Sequence, residues 1–200
     1  MNTMQADEFI YRLNYLLISL AIFVALVLFV ATYAEPVLRV SQMPDESPPV
    51  MRRKLKPLTD YLEQKIGMKM EFRPMSSGDA LVEALLRHDL DLVWVDGVNL
   101  ARARSRSNDR VIPLVQREED EKAQTMFTPT PGNNAYTWTV RADMDANLRK
   151  ILTDAFLALN KNVGQDKAIL ELQRVGRFIP ANIENPPVME AAARLAQPGP

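Results

Sequence analysis

RVSQMPDESPPVMRRKLKPLTDYLEQKIGMKMEFRP, residues 39–74, decides the fold. Val37 to Ser41 (VLRVS) reads as a strand, and Pro48 to Ile66 then spaces Leu55, Leu58, Leu62 and Ile66 three or four apart, the apolar stripe of a helix. Gly67 is its natural stop. Met68 to Arg73 (MKMEFR) alternates apolar and polar residues as a half-buried strand, and Pro74 ends it. Strand, helix and strand in immediate succession are the signature of an α/β sheet protein.

Working outward, the same alternation continues. Ser76, Ser77 and Asp79 can cap a helix whose Leu81, Val82, Leu85 and Leu86 face inward, and Leu90 to Val95 (LDLVWV) is a third strand. A short helix over Leu100 to Arg106 and a fourth strand over Val111 to Gln116 follow. Residues 117–133 change character, from the charged REEDEK to the turn-rich TPTPGN, and read as a connector. Strand alternation resumes over Ala135 to Arg141, then Asp143 precedes a helix with Leu148, Ile151, Leu152, Ala155, Phe156 and Leu159 on one face. Gln165 to Arg174 is predicted helical, Arg177 to Pro180 extended, and Val188 to Ala196 a last helix.

Composition narrows the function. With 24 Lys and Arg against 25 Asp and Glu, the net charge of −1 gives no bias towards nucleic acid, and no nucleic-acid partner is expected. Cysteine is absent and His88 is the single histidine, so thiolate chemistry is excluded and neither a metal nor another cofactor is expected.

The N-terminus stands apart. Leu16 to Ala34 is 19 residues without a charge, about 28 Å of helix against a hydrocarbon core of roughly 30 Å. Leu16, Ile18, Phe23, Leu26, Phe29 and Tyr33 are its anchor candidates, and Tyr11, Tyr15 and Tyr33 suit the two interfacial belts. The rival is a cleaved signal peptide, since Thr32-Tyr33-Ala34 resembles a peptidase site. An uncleaved anchor is preferred because the run exceeds a signal core and its leader carries Asp7 and Glu8 beside Arg12.

Several strings together resemble the periplasmic phosphate/phosphonate-type solute-binding proteins of ABC transporters. They are residues 39–74, then DALVEALLRHDLDLVWVDGVNLARAR (79–104), NAYTWTVRADMD (134–145), LRKILTDAFLALN (148–160) and ILELQRVGRFIPA (169–181). The resemblance implies two α/β lobes around a cleft, with the chain passing from lobe one to lobe two and back. Here the return segment follows almost directly on Gln116, so the expectation is a single lobe whose second half is replaced by residues 117–132. The resemblance also implies Gly-Pro and an aromatic ligand contact where this chain has Asp96-Gly97 and Leu100. Asp96 would repel an oxyanion.

The resulting expectation has a leader at 1–15, a transmembrane helix at 16–34, the first part of the lobe at 35–116, the connector at 117–132 and a return segment at 133–200. The fold is a three-layer α/β lobe of periplasmic-binding-protein type with a mixed sheet. Arg12 against Arg39, Arg52, Arg53, Lys54 and Lys56 would alone draw the domain inward; the signal-like helix, the lack of cysteine and the resemblance favour the periplasmic side of the inner membrane.

Remnants of a ligand cleft are Asp45, Glu46, Ser47, Ser76, Trp94, Asp96 and Asn99, at the carboxyl ends of the strands. Asp45, Glu46 and Ser47 read more simply as a helix cap, and Trp94 and Trp138 as buried strand residues. Asp91 and Asp96 point to opposite faces and do not form a catalytic pair. His88 reads as a solvated helix end. Arg102, Arg104, Arg106 and Arg110 read as a basic patch for lipid headgroups or an acidic partner, or as a solvated helix end, the second preferred for want of interleaved aromatics. The predicted function is non-catalytic: an accessory subunit of a larger complex of integral membrane proteins, with the bilayer met through the N-terminal helix and no small-anion ligand expected. The alternative is a working binding protein that passes a phosphate- or phosphonate-like anion to an ABC transporter.

Overall fold

Thirty consecutive residues without Pro or Gly make the first helix, α1 (Thr3–Thr32). The computed structural model describes residues 3–32, 36–118 and 136–182. They fall into two units, Met1–Pro36 and Val37–Pro200. In the first, the described side chains run from Tyr11 to Leu26 and all are exposed, Leu16, Ile18, Phe23 and Leu26 among them. Among the described residues no helix is long and apolar enough to cross a membrane. The span expected at 16–34 is therefore not a structural finding: the described side chains cover less than the roughly 20 residues a span needs, and those of Phe29 and Tyr33 lie outside them.

The second unit follows the predicted order closely. Its elements are β1 (Val37–Gln42), α2 (Pro48–Ile66), β2 (Lys69–Phe72), α3 (Gly78–Leu86), β3 (Leu92–Val95), α4 (Gly97–Ser107) and β4 (Val111–Arg117). After the connector come β5 (Thr137–Arg141), α5 (Ala146–Ala158), α6 (Gly164–Leu172) and β6 (Phe178–Pro180). Apart from Arg117 and Glu118, the expected connector lies outside the described residues, as does the helix predicted at Val188 to Ala196.

The sheet is mixed, in the order β2-β1-β3-β5-β4-β6. β1 pairs in parallel with β2 and β3, whereas β5 runs antiparallel to both its neighbours, β3 and β4. The strand that follows the connector thus lies between two strands that precede it. Because β3 is central, both its faces are covered: Leu92 and Trp94 join the core under α2, α5 and α6, while Val93 and Val95 join the core under α3 and α4. Helices on both faces give the three layers expected. Trp138 of β5 is fully buried, 5.2 Å from Trp94 and 5.5 Å from Phe156 between ring centres.

Local chemistry explains the element ends. Gly67 takes a left-handed φ of 65° and returns its N–H to the Glu63 carbonyl, closing α2 as predicted. Ser47 holds the N-cap position of α2 but makes no side-chain capping bond, so the predicted cap is one of position only. Helix α4 begins at Gly97, earlier than the predicted Leu100, because Asp96 caps it and accepts the Asn99 N–H at 2.8 Å. In β4, a register shift between Pro113 and Val115 accommodates a proline that cannot donate to the ladder.

One ion-pair cluster ties three adjacent strands. Arg39 on β1 grips Asp91 through one guanidinium edge, Nε and Nη2 each donating at 2.8 Å, and with its backbone N–H at 2.8 Å, and Arg141 at the end of β5 approaches the same carboxylate at 3.3 Å. Burial pushes the Asp91 carboxyl up, but the Arg39 hydrogen bonds and the charges of Arg39 and Arg141 outweigh it and hold it below the usual carboxylate range. A depressed folded pKa adds stability that is present above the unfolded value, about 3.9, and is lost as pH falls through the folded one. We expect Asp91→Asn to cost about 3 kcal/mol at pH 7 in urea unfolding, leaving the Arg39 guanidinium without its carboxylate while Arg141 keeps Asp143, and to flatten the acid limb of the stability profile below about pH 4. An unchanged acid limb would remove Asp91 as its source.

Candidate functional site

The parallel strands β1, β2 and β3 run into α2, α3 and α4, so three helix N-termini meet one edge of the sheet. Free N–H groups and positive dipole ends make such an edge the usual anion site of an α/β fold. Here each N-terminus is already occupied. Helix α2 opens with Pro48 and Pro49, which have no N–H, and the Val50 and Met51 N–H groups both turn back to the Ser47 carbonyl at 3.0 Å. Helix α4 is filled by the buried Asp96 carboxylate, which accepts the Asn99 backbone N–H and its Nδ2 at 3.0 Å. Helix α3 is capped by Ser77, whose Oγ accepts the Ala80 N–H at 3.1 Å, and Asp79 lies in its first turn.

Close packing fixes this arrangement. A Cβ at Gly78 would sit 2.6 Å from Asn99 Nδ2, so only glycine lets the first turns of α3 and α4 come this near. Asn99 is thereby buried, with Nδ2 also 3.5 Å from Met43 Sδ.

Beside these helix ends lies a cavity of about 260 Å³ lined by Gln42, Asp45, Glu46, Lys54, Trp94 and Arg174, among others. Its two cations are committed to Glu46, Lys54 at 2.6 Å and Arg174 at 3.5 Å. The Lys54 hydrogen bond, then the Lys54 and Arg174 charges, draw the Glu46 carboxyl below its ordinary range despite some burial. Asp45 behaves oppositely: burial first, then the Asp96 and Glu46 charges, push its carboxyl up, with Arg174 opposing. Raised this way, Asp45 contributes stability only while protonated, and that contribution is lost as pH rises through its folded pKa. The apolar lining is Met51, Trp94 and Leu172, and Trp94 itself stacks on Tyr136 at 5.6 Å and meets Phe178 edge-on at 5.9 Å.

The structure therefore brings Asp45, Glu46 and Trp94 to one cavity, uses Ser47 and Asp96 as helix N-caps with Asn99 bonded to Asp96, and leaves Ser76 exposed between β2 and α3. Lys54, Arg174 and Tyr136 were not legible as site residues. Arg174 comes from just past α6, and only the folded sheet order brings it to Glu46. Among the described residues no group of three His, Cys, Asp or Glu side chains is placed to hold a metal ion.

Residues 40–128 match the family described as the phosphonate periplasmic substrate-binding proteins of ABC transporters. A probable ABC-transporter phosphite-binding protein of Prochlorococcus marinus (strain MIT 9301) is 25% identical over 118 residues, which are 58% of this chain and 39% of that protein. This chain thus spans about two fifths of that relative's length. Among solved structures, PhnD1 of the same organism in complex with methylphosphonate superposes with a TM-score of 0.65 at 16% identity, covering 80% of this chain and 98% of that one. A binding-protein component of an ABC phosphonate transporter from Pseudomonas aeruginosa gives a TM-score of 0.63 at 8% identity, covering 74% and 82%. At these identities the structures speak for the fold alone. Family match, curated relative and sheet architecture point the same way: over residues 40–128 the chain is similar to the phosphonate periplasmic substrate-binding proteins of ABC transporters, and its sheet has their fold.

Proposed function

We propose that the chain is a non-catalytic binding protein reduced to one substrate-binding lobe, whose acidic strand edge docks another protein of a membrane complex. The observation that carries this reading is the state of the three helix N-termini: one is stripped of donors by Pro48 and Pro49, one is filled by Asp96, and one is self-capped by Ser77. With Asp45 and Asp96 near them, and with the nearby cations Lys54, Arg174 and Arg102 already paired to Glu46 and Asp79, an incoming oxyanion meets negative charge instead of converging donors. A partner presenting Lys or Arg meets complementary charge.

The single-lobe part draws support from the sheet: β5, the first described strand after residues 117–132, pairs directly with β3 and β4, which precede them, within one sheet. For the N-terminal helix we propose an anchor in the inner membrane with the lobe on the periplasmic side. Its support is the uncharged run from Leu16 to Ala34, helical as far as Thr32, with apolar side chains that are exposed from Leu16 to Leu26.

A second reading is capture of a phosphonate-like anion for an ABC transporter. The family match, and a relative that is a probable phosphite-binding protein, favour it more directly than they favour docking. The two readings separate on Trp94, which lines the strand-edge cavity. In nuclear magnetic resonance titrations of the full chain in mild detergent, we expect methylphosphonate to leave the Trp94 indole N–H signal in place. A saturable shift of that signal would establish solute capture and overturn docking at this edge. Purified in the same detergent, the protein should be recovered in fixed ratio with integral membrane proteins, and the double variant Asp45→Lys, Glu46→Lys should release them. Recovery as a lone monomer would contradict the docking role.

A further inference from the structure

At the opposite edge of the sheet, where β3 and β4 begin and β5 ends, the lobe holds a second cavity of about 240 Å³. The helix ends of α3 and α4 and the strand ends build it, and its lining includes His88, Arg106, Ser107, Arg110, Arg141 and Asp143. Three guanidiniums face one carboxylate there.

The charge balance is uneven residue by residue. Arg141 is committed, to Asp91 at 3.3 Å and to Asp143 at 3.0 Å. Arg106 is shared between Glu83 at 2.8 Å and Asp79 at 3.8 Å. Asp143, the carboxylate of the cavity, also has His88 Nδ1 at 3.6 Å. Arg110 differs from all of these. Its backbone N–H donates to Ser107 Oγ at 3.0 Å and its Nε to the Ser107 carbonyl at 2.9 Å, while its two terminal nitrogens have no acceptor among the described residues. Ser107 is itself buried, so the guanidinium is held from behind by a fixed residue.

A preoriented guanidinium with its donor pair unspent is the fork that recognises tetrahedral oxyanions, and it loses little freedom on binding. The end of α4, which would otherwise repel an anion, is damped: the N–H groups of Asn108 and Asp109 both close onto the Arg104 carbonyl. Asn108 and Asp109 take left-handed φ values of 52° and 60° to make this closure. The cavity is smaller than the roughly 300 Å³ at which sites for drug-sized molecules begin, which suits an ion or a headgroup.

We propose that this cavity binds a phosphate-type oxyanion, either free phosphate or the headgroup of an anionic phospholipid, with Arg110 as the principal donor and Arg106 as the second. It lies at the far edge from the strand-edge cavity, and it stands whichever reading of that cavity holds.

The test uses the full chain in mild detergent, titrated with inorganic phosphate while the Arg110 Nε–H, the Ser107 amide and the Trp94 indole are followed by nuclear magnetic resonance. The expected result is a saturable shift of the Arg110 and Ser107 signals with Trp94 unmoved. Arg110→Ala should weaken binding at least about tenfold, and Arg110→Lys, which keeps the charge but not the fork, by a smaller factor. A preserved Trp138 signal certifies folding in each variant. Lipid nanodiscs of phosphatidylcholine with and without phosphatidylglycerol separate the two sources. Ser107 shifts that need phosphatidylglycerol and vanish in Arg110→Ala assign the site to the headgroup, and shifts with soluble phosphate alone assign it to the free ion. No saturable shift with either probe, an unaltered affinity in Arg110→Ala, or a response confined to Trp94 would overturn the proposal.

Discussion

The fold depends on one placement, that of β5 between β3 and β4. Everything before the connector leaves β3 without a partner on one side and an unfilled apolar space beneath it. β5 supplies both the ladder and the filling, since Trp138 stands opposite Trp94 in the register and packs on Phe156 of α5. Tyr61 of α2 then donates its hydroxyl to the Ala155 carbonyl of α5, binding a helix from before the connector to one after it. Asp91 adds a polar clasp over β1, β3 and β5. Trp138 Nε1 is buried without a hydrogen-bond partner among the described residues, a local cost that the surrounding aromatic packing offsets.

From that placement follows the electrical character of the lobe. Three parallel strands deliver three helix N-termini to one edge, and the same residues that start those helices well also spend their donors. Proline at the first turn of α2 and aspartate at the cap of α4 are good helix chemistry and poor anion chemistry. The far edge has the converse arrangement: helix ends carrying arginines, most of them paired, around one guanidinium that is held in place and unspent.

Much of this was legible in the residues because periodicity and punctuation agreed. Leu55, Leu58 and Leu62 with Gly67 gave α2 its bounds, and the alternation read over Ala135 to Arg141 contains the observed β5, Thr137–Arg141. Asp96 was read as a charge set against an oxyanion, and it is also a helix cap; the string Asp-Gly-Val-Asn after an apolar strand carried that signal, the carboxylate and the N–H it accepts lying three positions apart. Contacts between distant segments were not legible. Nothing local to Arg174 announces Glu46, and nothing local to Arg39 announces Asp91, because sheet order, which periodicity does not encode, decides which distant segments become neighbours. His88 was rightly placed at a solvated helix end, but its left-handed backbone was not foreseen.

Hydrogen exchange under native conditions tests the central claim most directly, that the segments before and after the connector form one core. If they do, the amides of the β3–β5 ladder, Val93, Val95, Thr137 and Thr139, open with a single free energy that matches global unfolding and shifts together with added denaturant. Exchange of the β5 amides at a markedly lower free energy than those of β1 and β3 would mean that the return strand is an appended element, and would contradict the account.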